Sequence, residues 1–113
     1  MPHFVIEYSD GAVSQEGMSH LMERLAIAAA RTGVVRASDI KVRARSYSQF
    51  LVAGKQDSFV HLSVYLLAGR TPEQKIGLSE QLRQVMIEDC ANVVSLSVDI
   101  RDMDPAAYKK RLK

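Results

Sequence analysis

The sequence predicts an α+β fold in which two β-α-β units form a four-stranded mixed sheet with two helices on one face. Three observations lead there. Several short segments alternate apolar and polar residues at the two-residue period of a strand. Between them stand segments with apolar residues three and four apart, bounded by capping signals. The order strand-helix-strand occurs twice, over about residues 3–47 and 58–101, as a repeat of pattern and not of sequence. Short connections and right-handed crossovers leave few ways to assemble two such units.

The elements follow in order. "HFVIEYS" at 3–9 reads as a strand, with Phe4, Ile6 and Tyr8 on one face. "DGAVSQEG" turns the chain, and a helix covers roughly 18–32, with Leu21, Leu25, Ala28 and Ala29 at helical spacing. Gly33 is its natural stop, because glycine enters the left-handed conformation that ends helices without steric cost. "DIKVRARSY" then alternates, placing Ile40, Val42 and Ala44 on one face and Lys41, Arg43 and Arg45 on the other. A loop containing Gly54 leads to "SFVHLSVYLLAG" at 58–69, the longest strand candidate. Val60, Leu62, Val64 and Leu66 fill one face of it, and Phe59, His61, Ser63 and Tyr65 make the other. Both faces look covered, so this strand belongs in the middle of the sheet.

"TPEQ" at 71–74 opens the second helix: Thr71 is the N-cap, Pro72 takes the first helical position and Gln74 completes a capping box. Leu78, Leu82, Val85 and Met86 form its apolar stripe. "VVSLSVDIR" at 93–101 is the last strand, and Pro105 opens a short basic tail, "YKKRLK", which is most simply solvated and otherwise touches a neighbouring subunit or attracts an anionic substrate. The sheet face away from the helices is semi-polar, with Glu7, Arg43, Arg45, His61, Ser63, Ser95, Ser97 and Asp99. Burial of that face in an oligomer is at least as good a solution as leaving it in water.

Composition narrows the function. At 113 residues the chain reads as one domain, residues 1–113, and 47% apolar content supports a modest core. The net charge of +2 is scattered apart from the tail, which argues against nucleic acid. Cys90 is the one cysteine, so an intrachain disulfide and a multi-cysteine metal site are excluded. It reads as a small buried hydrophobe. His3 and His61 have no carboxylate or cysteine at ligand spacing, which argues against a metal. No apolar run approaches the roughly 20 residues of a membrane span, and no signal-peptide pattern opens the chain. The cytoplasm is the expected location.

The opening "MPHFVIEYSD" poses a chemical question. Removal of Met1 would make Pro2 the first residue and give it a secondary amine. That nitrogen is either a base or merely the trimmed start of an edge strand. "PHFVIEYSD", "FVHLSVYLLAGR" and "LSVDIRDMD" resemble the 5-carboxymethyl-2-hydroxymuconate isomerase family, within the tautomerase superfamily. The likeness runs over most of the chain. The opening Pro-His-Phe and the segment from Phe-Val-His to Gly-Arg are its most specific parts, while "RARSYSQFLVAG" follows the family loosely and the tail after Pro105 is shorter.

The resemblance implies a tautomerase-like fold and a homotrimer with inward-turned sheet faces and active sites near the subunit interfaces. It also implies keto-enol isomerisation of an unsaturated dicarboxylate, without a cofactor, in the bacterial breakdown of aromatic compounds. Pro2 is then the expected general base. An α-amine titrates near pH 8 and a secondary amine higher, but burial and nearby arginines favour the neutral form and bring it toward the working pH.

Arg70, at the end of the central strand beside the second helix start, is placed to grip a carboxylate; otherwise it is a surface arginine near a turn. Arg43 and Arg45 share a strand face and either point into one site or make a solvated edge or ion pairs within an oligomer. Tyr47 has the same parity and either lines the pocket or packs on the sheet. A non-catalytic trimer that binds a ligand or a protein on the same scaffold is the alternative, because fold alone does not fix function.

Overall fold

The computed structural model describes residues 1–113. Its elements are β1 (His3–Ser9), α1 (Gln15–Arg31), a 3-10 turn (Ala37–Asp39), β2 (Lys41–Tyr47), β3 (Phe59–Leu67), α2 (Pro72–Asp89) and β4 (Ser95–Met103). The sheet runs β2-β1-β3-β4. β1 pairs parallel with β2 and antiparallel with β3, and β3 pairs parallel with β4. This is the doubled β-α-β arrangement expected, with β3 in the interior.

Even-numbered strand residues build the core. Phe4, Ile6, Val60, Leu62, Val64 and Leu66 are fully buried against Leu21 and Leu25 of α1 and Leu78, Leu82 and Met86 of α2. Burying such side chains contributes roughly 1.5–3 kcal/mol each relative to exposure, which dominates the stability of the sheet-helix sandwich. Cys90 joins this core at the C-cap of α2, and burial raises its thiol pKa. No helix is long and apolar enough to cross a membrane.

The second helix forms as its cap signals predict. The Thr71 hydroxyl accepts from Gln74 N–H, and the Gln74 side chain accepts from Thr71 N–H. The first helix starts earlier than the turn reading allowed. Ser14 accepts from Gly17 N–H, so the helix begins at Gln15 within the segment assigned to the turn. Its end agrees with expectation: Gly33 follows Thr32 with φ of 78°. The last strand lies two residues further along than predicted, over Ser95–Met103.

The tail corrects the solvated reading in part. Asp104 accepts from the backbone N–H groups of Ala106, Ala107 and Tyr108, and this turn folds Tyr108 back onto the chain start. The Tyr108 ring meets His3 edge-on at 5.8 Å between centroids. Residues beyond Tyr108 are exposed.

Candidate active site

Odd-numbered strand residues face away from the helices, and β1 orders them along its length. At its beginning, Pro2 is buried and lacks an N–H, so it enters the sheet through its carbonyl, which accepts from Lys41 N–H at 3.0 Å. The Met1 amine attached to it donates to the Asp39 carbonyl at 2.8 Å, with the Asp39 carboxylate 4.0 Å away. Burial is the main force lowering that amine's pKa. Asp39 opposes it, and Lys110, Lys41 and Arg70 lower it further. One corner of the fold thus collects cations from β2, from the β3–α2 turn and from the tail around the first two residues.

His3 continues the corner. Its Nδ1 lies 3.2 Å from Arg43 Nη1 and its Nε2 lies 2.8 Å from the Tyr108 hydroxyl. Burial lowers its pKa first, then the charges of Arg43, Lys41 and the chain amine. Arg70 acts on the same corner through its charge. Its Nη1 donates to the Leu67 carbonyl and its Nη2 to the Val34 carbonyl, both at 3.2 Å. These bonds tie the end of β3 to the segment after α1 and use only part of a guanidinium that carries five N–H donors.

A different group occupies the far end of the same face. Arg45 stands level with Glu7, and Tyr47 with Ser9. The Tyr47 hydroxyl donates to the Glu7 carboxylate, and that bond, followed by burial, raises the tyrosine pKa. Tyr47, Glu7, Phe50, Phe59, His61 and Ser97 border an open hollow of about 520 Å³. The His61 Nδ1 is 2.6 Å from the Ser97 hydroxyl. Lys41 is level with His3 and Tyr47 with Ser9. Six residues at the rise of a strand separate the two levels by about 20 Å.

Of the residues expected in one site, the chain therefore brings together Pro2 and Arg70, with Arg43 joined through His3. Arg43, Arg45 and Tyr47 also line one hollow of about 270 Å³ with Val5 and Glu7, so Arg43 belongs to both groups and Tyr47 alone stands at the far end of the strand. Parity of alternation placed all three β2 residues on one face, as found, but parity carries no information about level. The basic tail was readable only as a segment that attracts anions, and nothing in the sequence singles out Tyr108 and Lys110 within it. Their position depends on a turn at Asp104 that returns the chain to a point more than a hundred positions away, and no local period announces that.

The model of a family described as 5-carboxymethyl-2-hydroxymuconate isomerase matches residues 2–112. A 5-carboxymethyl-2-hydroxymuconate Delta-isomerase of Escherichia coli is 25% identical over 118 aligned residues, covering 98% of this chain and 94% of the relative. Among solved structures, a 5-carboxymethyl-2-hydroxymuconate isomerase from Deinococcus radiodurans R1 is 26% identical with a TM-score of 0.84, over 99% of this chain and 90% of that one. A fused 4-OT wild-type symmetric trimer superposes with the same TM-score of 0.84 at 20% identity, over 96% of this chain and 90% of that one, which is a likeness of fold.

Proposed function

The chain belongs to the 5-carboxymethyl-2-hydroxymuconate isomerase family, and on that premise we propose that it is a cofactor-free keto-enol isomerase of an unsaturated oxo-dicarboxylate with Pro2 as its base. The observation that carries this is the buried Pro2 at the cationic corner. Removal of Met1 turns an amide nitrogen without basicity into a secondary amine. Burial, Lys110, Lys41 and Arg70 lower the Met1 amine against Asp39, and the same kinds of force are expected on an amine exposed one residue later at Pro2. A base is most effective when its pKa lies near the working pH.

The step conserves atoms. The Pro2 nitrogen takes the enol hydroxyl proton, the oxygen becomes a carbonyl as the double bonds shift along the diene, and the ammonium returns the proton to the distant carbon. The amine is regenerated and the product is an isomer. Arg70, with Arg43 or Arg45, holds the carboxylates and offsets negative charge on the enolate-like transition state.

The roughly 20 Å between the levels of His3, next to Pro2, and Tyr47 gives the assembly a role. Tyr47 serves a Pro2 only if it belongs to another subunit, with the semi-polar sheet faces turned toward one another, whereas Arg45 stands two residues beyond Arg43 on the same strand. The trimer named among the similar folds supports that arrangement, and light scattering is expected to give about three times 12.6 kDa. The activity test follows enol-to-ketone conversion of 5-carboxymethyl-2-hydroxymuconate by ultraviolet absorbance, with protein whose intact mass lacks Met1. Accelerated conversion is expected. A processed protein that binds the dicarboxylate without accelerating it overturns the isomerase reading in favour of a ligand-binding trimer.

A further inference from the structure

Tyr108 belongs to no strand or helix, yet it makes the most specific contacts of the tail. The hydrogen-bond directions around it follow from chemistry. A guanidinium only donates, so His3 Nδ1, at 3.2 Å from Arg43, accepts and carries no proton. A neutral imidazole then has its proton on Nε2, which donates to the Tyr108 oxygen at 2.8 Å. The lowered pKa of His3 keeps the ring in that neutral form. With its oxygen lone pair so engaged, the Tyr108 hydroxyl directs its own proton onward, and that proton meets Met1 Sδ at 3.0 Å.

Thioether sulfur is a weak acceptor. The Met1 side chain also hangs from the one bond that blocks the Pro2 nitrogen, so its departure opens the same space to the amine. Met1 is thus the one residue that both meets the Tyr108 hydroxyl and is bonded to the Pro2 nitrogen. Lys41, Lys110 and Arg70 act on this corner with positive potential, against the single Asp39 carboxylate. An anionic oxygen fits it better than sulfur does.

We propose that Tyr108 is a substrate-contacting residue whose hydroxyl, oriented by the Arg43–His3 pair, donates to an anionic oxygen of a dicarboxylate lying at Pro2. This assignment rests on the proposed reading of Pro2 and adds to it a residue from the tail. His3 acts through Tyr108 and is a positioning residue.

The test uses the processed protein and trans,trans-muconate, a conjugated dicarboxylate with no enol proton, so that binding does not depend on proton transfer. Tyr108→Phe keeps the ring and its edge contact with His3 and removes only the donor. Calorimetry is expected to show an approximately 10-fold weaker Kd, the size of one hydrogen bond to a charged acceptor, with an unchanged melting temperature. His3→Ala weakens binding less, and His3→Gln, whose amide nitrogen takes the place of Nε2, restores part of the loss. Equal affinities for the wild type and Tyr108→Phe overturn the assignment, as does a wild type that does not bind muconate. Failure of the Pro2 reading looks different: enol turnover is absent while muconate binding and its dependence on Tyr108 persist.

Discussion

The two faces of the sheet are made by the same four strands and are governed by different physics. On the helix side, Phe4, Ile6, Val60, Leu62, Val64 and Leu66 have no exposed surface. On the other side, neighbouring positions carry Glu7, Arg43, Arg45, His61 and Ser97, held by directed contacts such as Tyr47 to Glu7 and His61 to Ser97. The first face is held by burial, which has no direction and scales with area. The second is held by hydrogen bonds and charge, which depend on each partner's position. One face therefore sets the fold, and the other is available for chemistry and assembly. Disturbing them separately should give separable effects.

The largest expected effect lies on the helix face. Leu62→Ala removes a fully buried side chain from the central strand. It is expected to cost about 2–5 kcal/mol of unfolding free energy, read from a denaturant titration. Turnover per folded molecule should stay near the wild-type value. A comparable loss of turnover at full folding would mean that the two faces are not independent.

Arg70→Ala tests the border between them. Its carbonyl bonds to Leu67 and Val34 predict a stability loss of about 1 kcal/mol. Loss of a charge-assisted contact to substrate predicts a further 10- to 150-fold drop in kcat/KM, or roughly 1.5–3 kcal/mol. Arg70→Lys retains the charge without the fork, so it should recover only part of the activity. A stability loss with unchanged kinetics would assign Arg70 to the scaffold alone.

The smallest effect concerns pH. The folded state lowers the pKa of His3 below the ordinary value of about 6.5, chiefly through burial and Arg43. The unfolded chain therefore takes up this proton first as pH falls. The stability linked to His3 is complete above about pH 6.5 and is lost below it. Partial exposure keeps the effect small. Thermal melts between pH 7.5 and pH 5.5 (roughly one unit either side of the ordinary value) should fall less steeply for His3→Gln than for the wild type. Equal slopes would mean that the Arg43–His3–Tyr108 chain does not sense the proton.

Legibility in the sequence divides along the same line. Alternation in "FVHLSVYLL" and the Thr71-Pro72-Gln74 signal were enough to locate β3 and α2, because both depend on neighbours within a few positions. The start of α1 was obscured because Gly17 stands where a capping box would carry Glu or Gln, leaving Ser14 as a one-sided cap. Pro2, Arg43, Arg45, Arg70 and Tyr47 could be nominated from residue type and parity together with a family likeness. Their spread along the sheet, from Pro2 at one end to Tyr47 at the other, depends on the parallel register of β1 with β2. Tyr108 was hidden because its partners, Met1 and His3, lie at the opposite end of the chain.

The central claim is that the chemistry resides in the Pro2 nitrogen and that the fold does not depend on its being free. The direct measurement compares processed protein with a form in which removal of Met1 is blocked, using enol-to-ketone conversion by ultraviolet absorbance and thermal melting on both. The first strand begins at His3, so the blocked form should melt like the processed one. Its Pro2 nitrogen is an amide, and the rate is expected to fall by about 100-fold or more, the usual worth of a positioned general base. Pro2→Ala, which keeps a free amine once processed, should retain a trace of activity with a shifted pH profile. Equal turnover by the blocked and processed forms would contradict the account, because a nitrogen that cannot accept a proton would then be as good as one that can.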